Sequence, residues 1–361
     1  MGGAATALLR VSNAATQRAA LQSAVLPAGA LPLWVPLLTF YRPAGTDGRA
    51  GGGRAQVDLE RTRAHAWQVA QSVPLWMVAG STGDGWDLDD AQLEALFRLA
   101  ATDLRTKDSR VLAALLRPTT TDVLDWIARL HRIVGTDPRG TVADNVERLR
   151  QLGWVGICVC PPVGSEISQE AIAAHYEAIL DAARMPLAIY QLPQVTGCRI
   201  APATFGRLSE RHPEIILFKD SSGEDQVAPA IPPAGPLLVR GAESAYAASL
   251  RALGGAYDGL LLSTANVFGS ELREIVAAAL AAQPSRARAL AERLERRVTA
   301  LFAAAAGAPV GNTFANVNRT VAHLRSLGES WREVATPLLF DGSRLPGAFV
   351  ERIAVTLTVA D

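Results

Sequence analysis

The residue best suited to covalent chemistry is Lys219, which follows an apolar run at 215–218 and precedes a polar, glycine-terminated turn at 220–223. Of the 35 lysines and arginines only Lys107 and Lys219 are lysines, so arginine fills every other cationic position. Burial lowers the pKa of a lysine, and the neutral amine attacks carbonyl groups to form a Schiff base, which arginine cannot do. The alternative is a lysine at a strand end whose stem is buried while its ammonium group reaches water.

Two other polar groups follow apolar runs in the same way. The run at 75–79 leads into a glycine-rich turn that carries the adjacent hydroxyls of Ser81 and Thr82. Such a turn offers N–H groups and hydroxyls to a phosphate or carboxylate, although it is also common as a purely structural feature. Tyr190 lies near the end of the run at 187–191, where its phenol is either an acid and base or part of the core.

The elements that must position these groups repeat as short apolar runs followed by longer amphipathic segments. The predicted strands are 33–40, 75–79, 111–115, 156–160, 187–191, 215–219, 237–240 and 259–263. The predicted helices between them include 59–72, 89–104, 121–133, 142–152 and 169–183. Repeated βα units with buried strands predict a parallel sheet, and eight units predict a (β/α)8 TIM barrel over residues 31–275. The structural alternative is an open, doubly wound sheet.

Segments outside this repeat are also predictable. Residues 1–30 form an extension without Asp or Glu, which predicts either a helix at 4–24 packed on the main domain or an organellar transit segment. The glycine-rich loop at 42–54 is interpreted as disordered or as a cover for the barrel mouth. Two helices within 119–152, where one is usual, indicate an insertion. Residues 276–361 are predicted to be a helical appendage at the carboxyl terminus.

Composition excludes several classes of partner. The formal net charge is zero, with 35 basic and 35 acidic residues, so no overall field favours nucleic acid or an anionic membrane. No apolar stretch approaches the roughly 20 residues of a membrane-spanning helix. The three cysteines, at 158, 160 and 198, lack metal-binding spacing and indicate core residues in a reducing compartment. A cytoplasmic protein without a metal is expected.

Taken together, the motifs resemble those of the dihydrodipicolinate synthase and N-acetylneuraminate lyase family. The chain has G-S-T-G-D at 80–84 after the second strand, Y-Q-L-P-Q-V-T-G at 190–197 after the fifth, and K-D-S-S-G at 219–223 at the sixth. Supporting matches cover most of the chain, among them T-F at 39–40, S-Q-E at 168–170, H-Y at 175–176 and S-T-A-N at 263–266. His175 is interpreted as structural because it lies within a helix.

The resemblance implies a Schiff-base lyase in which Lys219 attacks the ketone of pyruvate or a related 2-oxo acid. Tyr190 would shuttle protons, Ser81 would connect to that relay, and Thr82 with nearby backbone amides would hold the carboxylate. The other residues implied to bind substrate are Gly80, Gly83, Gly241, Glu243 and Ser263. The expected partners are a 2-oxo acid and an aldehyde, the covalent imine needs no further cofactor, and a homo-oligomer is expected, either a dimer or a tetramer.

The chain departs from the family pattern at two places. Val195 stands where the synthase branch has an arginine that holds a distal carboxylate, so the acceptor is expected to lack that group and to meet Gln191, Gln194 or Thr196 instead. P-P-V-G at 161–164 lacks the family's loop tyrosine, for which Tyr41 is a possible substitute; the alternative for Tyr41 is a lid or packing role. The alternative functions are a dehydratase that uses the same imine, 4-hydroxy-tetrahydrodipicolinate synthase, and a non-catalytic binder of 2-oxo acids.

Overall fold

The computed structural model describes residues 2–44, 54–104, 106–307 and 311–360, and only the backbone of residues 2–12 and 360. Eight parallel strands form a closed barrel in which neighbours in sequence pair and the first pairs with the last. The strands are β1 (Leu33–Pro36), β2 (Leu75–Val78), β3 (Arg110–Ala114), β4 (Trp154–Val159), β5 (Leu187–Gln191), β6 (Ile215–Asp220), β7 (Leu237–Arg240) and β8 (Gly259–Leu261). The predicted (β/α)8 barrel is confirmed, and the open sheet is wrong.

Helices precede, separate and follow the strands. They are α1 (Gly2–Val25), α2 (Leu59–Ala70), α3 (Asp90–Thr102), α4 (Thr120–Val134), α5 (Val142–Leu152), α6 (Gln169–Ala183), α7 (Pro193–Thr196), α8 (Pro202–Arg211), α9 (Ala265–Leu280), α10 (Pro284–Ala304), α11 (Thr313–Leu327) and α12 (Gly347–Ala360). After β6 and β7, where a (β/α)8 barrel would have helices, the chain has only the single 3-10 turns Ala228–Ala230 and Arg251–Leu253. None of the helices in the described ranges has the length and apolar character of a membrane span.

The chain divides into two compact units. The first comprises residues 1–32, 108–242 and 249–261 and holds α1, α4 to α8 and β3 to β8. The second comprises residues 33–107, 243–248 and 262–361 and holds β1, β2, α2, α3 and α9 to α12. The domain boundaries at 30 and 275 stay a prediction.

In the first unit, α1 packs on α5, α8 and β6, as the helical interpretation of the extension predicts. Arg18 is 4% exposed, and its guanidinium donates to the carbonyls of Ser209, His212 and Ile215. Gln22 donates to the next carbonyl of β6, that of Ile216, at 2.9 Å. The extension therefore holds the beginning of the strand that carries the lysine.

The insertion after β3 is confirmed as two helices in the first unit. Thr119 caps the N-terminus of α4, which ends at Gly135 in the left-handed conformation. Thr141 then begins α5 with a capping box in which its partner is Asp144. Glycine and a second N-cap in succession thus explain why one long helix does not form.

In the second unit, β1 is shorter than the predicted run at 33–40. The N–H group of Leu38 donates to Asn266 Oδ1 at 3.0 Å and that of Phe40 donates to Thr62 Oγ1 at 3.1 Å, so side chains replace a neighbouring strand as acceptors. The predicted loop at 42–54 begins and ends in a two-residue antiparallel pair, Tyr41–Arg42 with Gln56–Val57. Residues 45–53, on which the disorder prediction falls, lie outside the described residues.

Candidate active site

In the first unit, Lys219 is the fifth residue of β6 and is 3% exposed. Its register partner on β5 is Tyr190, and the Nζ atom of Lys219 lies 4.0 Å from the centre of the Tyr190 ring. All six residues of β6 are buried, as expected for a strand covered on both faces. The alternative in which the ammonium group reaches water therefore does not describe this structure.

Tyr190 is itself 2% exposed. Burial raises the pKa of its phenol well above the usual value, the nearby Cys160 adds to this rise, and the hydroxyl of Ser221 acts in the opposite direction. The phenol therefore keeps its proton at neutral pH, and it can donate that proton to an oxygen on which negative charge develops. A buried amine and a buried acid thus lie side by side.

Gly241, which follows β7, leaves the space that the lysine side chain occupies. A Cβ atom built on Gly241 would lie 2.8 Å from Lys219 Cε and 2.0 Å from Ser221 Oγ. Both distances are shorter than van der Waals contact allows. The structure therefore brings together three predicted site residues, Lys219, Tyr190 and Gly241, and adds Ser221, for which the only sequence signal was the K-D-S-S-G motif.

A network behind the lysine was not predicted from the sequence. Asp220 is fully buried and accepts hydrogen bonds from the Ser222 N–H group at 2.9 Å and the Tyr257 hydroxyl at 3.1 Å. The Tyr257 hydroxyl also lies 2.7 Å from Asp225, which pairs with Arg240 at 3.0 Å. Because side chains alternate along a strand, Asp220 points away from the face that carries Lys219. The network therefore fixes the turn after Lys219.

The segment after β5 corrects one prediction about the acceptor. Gln191 and Thr196 are buried, and their side chains bond to the backbone of Ile200, Leu192 and Cys198. Gln194 donates to the carbonyls of Ser221 and Ser222 at 3.1 and 3.0 Å. The prediction that these three side chains are available for substrate hydroxyls is thus wrong for the amide oxygen of Gln191, the hydroxyl hydrogen of Thr196 and the amide nitrogen of Gln194. Val195 is 43% exposed.

The loop that lacks the family's tyrosine is held by its backbone. The Val163 N–H group donates to the Pro118 carbonyl at 2.9 Å, and the Gly164 N–H group donates to the Thr196 carbonyl at 2.7 Å. His175 is confirmed as structural, because its ring bonds to Thr120 Oγ1 at 2.8 Å and to the Cys160 carbonyl at 3.0 Å.

The three cysteines are buried and free of disulfides. Burial raises the pKa of each thiol, to about 12 for Cys158. Since the thiolate is the reactive form, these residues are inert core side chains, as the sequence predicts.

In the second unit, the predicted anion-binding turn is a single 3-10 turn, Ser81–Gly83, preceded by Gly80. A Cβ atom on Gly83 would lie 2.6 Å from the Leu37 carbonyl, so the turn packs tightly on the end of β1. Thr82 is 5% exposed, and Ser81 is partly exposed. The Ser81 hydroxyl accepts a hydrogen bond from Asn312 Nδ2 at 2.9 Å, a contact with the carboxyl-terminal region that no sequence signal indicated.

Two further predicted residues, Glu243 and Ser263, contact each other in the second unit. Ser263 Oγ donates to Glu243 Oε1 at 2.5 Å, and Thr264 donates to the same carboxylate through its N–H group at 3.0 Å and its hydroxyl at 2.6 Å. The Tyr246 hydroxyl is a fourth donor, at 3.0 Å. With four donors the carboxylate is held in one orientation.

Tyr41 is not placed as a substitute for the missing loop tyrosine. Its hydroxyl donates to Asp84 Oδ2 at 2.7 Å, and the same carboxylate pairs with Arg319 of α11. Asp84 and Arg319 are each 1% exposed, and burial raises the pKa of Tyr41 well above its usual value. Tyr41 therefore belongs to a buried cluster that joins α11 to the turn, which sequence reasoning missed.

Comparison with known proteins identifies the same family that the sequence motifs resemble. The family model described as the dihydrodipicolinate synthetase family matches residues 134–326, more than half of the chain and a range that includes Tyr190 and Lys219. The 4-hydroxy-tetrahydrodipicolinate synthase of Thermomicrobium roseum is 30% identical over 241 residues, which are 65% of this chain and 71% of that protein. The enzyme of the same name from Synechococcus sp. strain CC9605 is 30% identical over 238 residues, with coverages of 65% and 71%.

Solved structures share the fold at lower identity. Dihydrodipicolinate synthase from Cyanidioschyzon merolae, with lysine bound, superposes with a TM-score of 0.67 at 21% identity and covers 91% of this chain and 97% of that one. N-acetylneuraminate lyase from Fusobacterium nucleatum gives a TM-score of 0.66 at 16% identity, with coverages of 91% and 97%.

Proposed function

The chain belongs to the dihydrodipicolinate synthetase family, a family of lyases, and on that premise we propose that it breaks or forms a carbon–carbon bond of a 2-oxo acid through an imine on Lys219. The observation that carries the proposal is the buried pair of Lys219 and Tyr190, with Nζ 4.0 Å from the ring centre. An amine and a phenol at this spacing supply the nucleophile and the proton donor that imine formation requires.

The proposed reaction begins when the neutral amine of Lys219 adds to the C2 carbonyl of pyruvate or a related acid. A C–N bond forms, the carbonyl oxygen leaves as water, and both hydrogens of that water come from the amine nitrogen through a proton carrier, Tyr190. Once the imine nitrogen is protonated from solvent, the C3–C4 bond of an aldol substrate breaks and its electron pair moves toward that nitrogen to give an enamine. The C4 hydroxyl passes its proton to the carrier, Tyr190, and the C4 fragment leaves as an aldehyde; protonation of the enamine at C3 and addition of water then release the 2-oxo acid and the amine. The imine accepts these electrons, so the proposal involves no further cofactor.

The remaining predicted residues have supporting roles in this proposal. The turn of Gly80, Ser81, Thr82 and Gly83 would bind the carboxylate and extend the relay. Ser263 and Glu243 would shape the site and not bind substrate directly, because the Ser263 hydroxyl already donates its hydrogen to Glu243.

The direct test of the imine is borohydride reduction in the presence and absence of pyruvate, followed by intact mass and peptide mapping. One reduced pyruvate should be found on Lys219 and none on the exposed Lys107. Lys219→Arg keeps the positive charge but should give no adduct, whereas Lys107→Arg should react as the unmodified chain does. An adduct on Lys107, or none at saturating 2-oxo acid, would contradict the mechanism.

The names of the curated relatives favour one specific activity, 4-hydroxy-tetrahydrodipicolinate synthesis. Val195 argues against it, because valine offers no charge to a carboxylate that an arginine would hold by two charge-assisted hydrogen bonds. Loss of such a contact costs roughly two decades or more in kcat/KM. We therefore propose an acceptor aldehyde whose nearby portion is uncharged.

A substrate panel tests this second proposal. Pyruvate is supplied with aspartate semialdehyde, with neutral hydroxyaldehydes and with aromatic aldehydes, and kcat/KM is compared. A clear preference for the semialdehyde would show that the inference from Val195 is wrong. Loss of water from a hydroxylated 2-oxo acid would identify a dehydratase, and adduct formation without any turnover would identify a non-catalytic binder.

A further inference from the structure

Asn312 is the N-cap of α11 and uses both ends of its side-chain amide. Its Oδ1 accepts from the N–H groups of Phe314 at 2.9 Å and Ala315 at 3.3 Å, two of the donors that a helix leaves unpaired. Its Nδ2 donates to the Ser81 carbonyl at 3.2 Å and to the Ser81 hydroxyl oxygen at 2.9 Å. Because a backbone N–H only donates and a backbone carbonyl only accepts, the orientation of the amide is fixed.

This orientation also determines what the Ser81 hydroxyl can do. Its oxygen accepts the hydrogen of Asn312, so its own hydrogen must point elsewhere. Among the described residues, no acceptor for that hydrogen is found. The hydroxyl is therefore held as a hydrogen-bond donor that remains available to a ligand.

A second asparagine amide, on α11 itself, provides an internal comparison. Asn318 Nδ2 donates to Ser263 Oγ at 3.2 Å, and Ser263 Oγ in turn donates to Glu243 at 2.5 Å. Here too the serine oxygen accepts a hydrogen bond from an asparagine amide, and the serine hydrogen is donated to a different group. At Ser263 that acceptor is a carboxylate of the protein.

We propose that Asn312 is a positioning residue, which keeps the Ser81 hydroxyl oriented as a donor to the bound 2-oxo acid. The inference rests on the proposed function and adds a residue that lies outside the matched sequence motifs. The side chain of Asn312 thus has two roles: it caps α11, and it sets the direction of a hydroxyl in the Ser81–Gly83 turn.

The cap and the donor can be separated by substitution. Asn312→Ser keeps a good N-cap without an amide that reaches Ser81, and Asn312→Asp keeps the cap but presents only acceptors. Each is made alone and with Ser81→Ala. Two readouts need no knowledge of the acceptor aldehyde, namely the rate and final extent of borohydride-trapped adduct, and the rate at which the methyl group of pyruvate takes up deuterium in D2O through the imine and its enamine.

Both Asn312 variants should slow imine formation and deuterium uptake by about tenfold or more, with the final extent of adduct and the melting temperature near those of the unmodified chain. In the Ser81→Ala background the same changes should cost less than about twofold, because the hydroxyl that Asn312 orients is already gone. Equal costs in the two backgrounds, or no cost in either, would overturn the inference while the proposed function stands. Absence of an adduct in the unmodified chain would overturn both.

Discussion

Lys219 and Tyr190 are register partners on β6 and β5, and the lysine nitrogen lies over the tyrosine ring, 4.0 Å from its centre. A ring face attracts a cation, whereas burial disfavours the same charge. Phenylalanine at position 190 would keep the ring and remove only the hydroxyl. The packing role and the acid–base role of Tyr190 can therefore be tested separately.

Tyr190→Phe should still bind the 2-oxo acid and reach the same final extent of adduct, but imine formation and turnover should be about 10² to 10⁴ times slower, because the proton carrier is lost. Steady-state kinetics and borohydride trapping measure the two effects. The matched control is Tyr176→Phe, which removes a buried hydroxyl that bonds to the Val159 carbonyl in the same unit. Near-normal turnover of Tyr190→Phe would transfer the role to water.

Gly241→Ala should reduce turnover by about a hundredfold or more, because the added methyl group would displace the Lys219 stem and the Ser221 hydroxyl. Gly206→Ala is the matched control, since a Cβ atom there meets nothing within 4 Å and lies in a helix that alanine favours. Circular dichroism and the yield of trapped adduct distinguish a displaced lysine from a misfolded chain. Full activity of Gly241→Ala would show that the lysine does not need this space.

The barrel and the position of Lys219 were predictable from the sequence for a clear physical reason. Strands buried on both faces are recognisable as apolar runs, and the polar residue that interrupts such a run, Lys219, must lie at a strand end. The contacts made by α11 were not predictable, because Asn312, Asn318 and Arg319 have ordinary helical surroundings in the sequence and meet their partners only through tertiary packing. The exclusion of Tyr41 from the relay depended likewise on its distant partner Arg319.

Acid should destabilise the protein through His65. Burial lowers the pKa of His65 to about 4, and its ring is held by Asn266 Oδ1 at 3.0 Å. Below pH 6.5 the unfolded chain takes up a proton that the folded chain refuses until about pH 4, so stability falls as the pH falls through this window. At pH 4.5 the loss from this residue is about 2 kcal/mol.

His65→Gln keeps a donor toward Asn266 and removes the titration. Urea unfolding of both proteins at pH 7.5 and pH 4.5 gives the comparison, and the variant should lose about 2 kcal/mol less than the unmodified chain on acidification. The prediction concerns the difference between the two pH values, so a constant cost of the substitution does not affect it. An identical pH dependence in the two proteins would show that His65 is not responsible.

Arg18→Met should destabilise the fold by about 2 kcal/mol, because it removes a charged donor from buried carbonyls at the beginning of β6 and at the end of α8. Arg211→Met is the control, since the Arg211 side chain is 68% exposed and its ion pair with Glu177 contributes at most about 1 kcal/mol. Chemical denaturation compares the two variants. Equal stability would show that α1 is not needed to hold the lysine strand.

The contacts of α11 also have a consequence for how the protein is made. Ser81 and Asn312 are 231 positions apart, and Asp84 and Arg319 are 235 apart. A ribosome releases the N-terminal part of a chain first, so the glycine-rich turn emerges long before the helix that orients it. Closing so long a loop is slow relative to local folding. A nascent chain can therefore form the Ser81–Asn312 hydrogen bond only after α11 has left the ribosome, and on the proposed function we expect full activity only from that point.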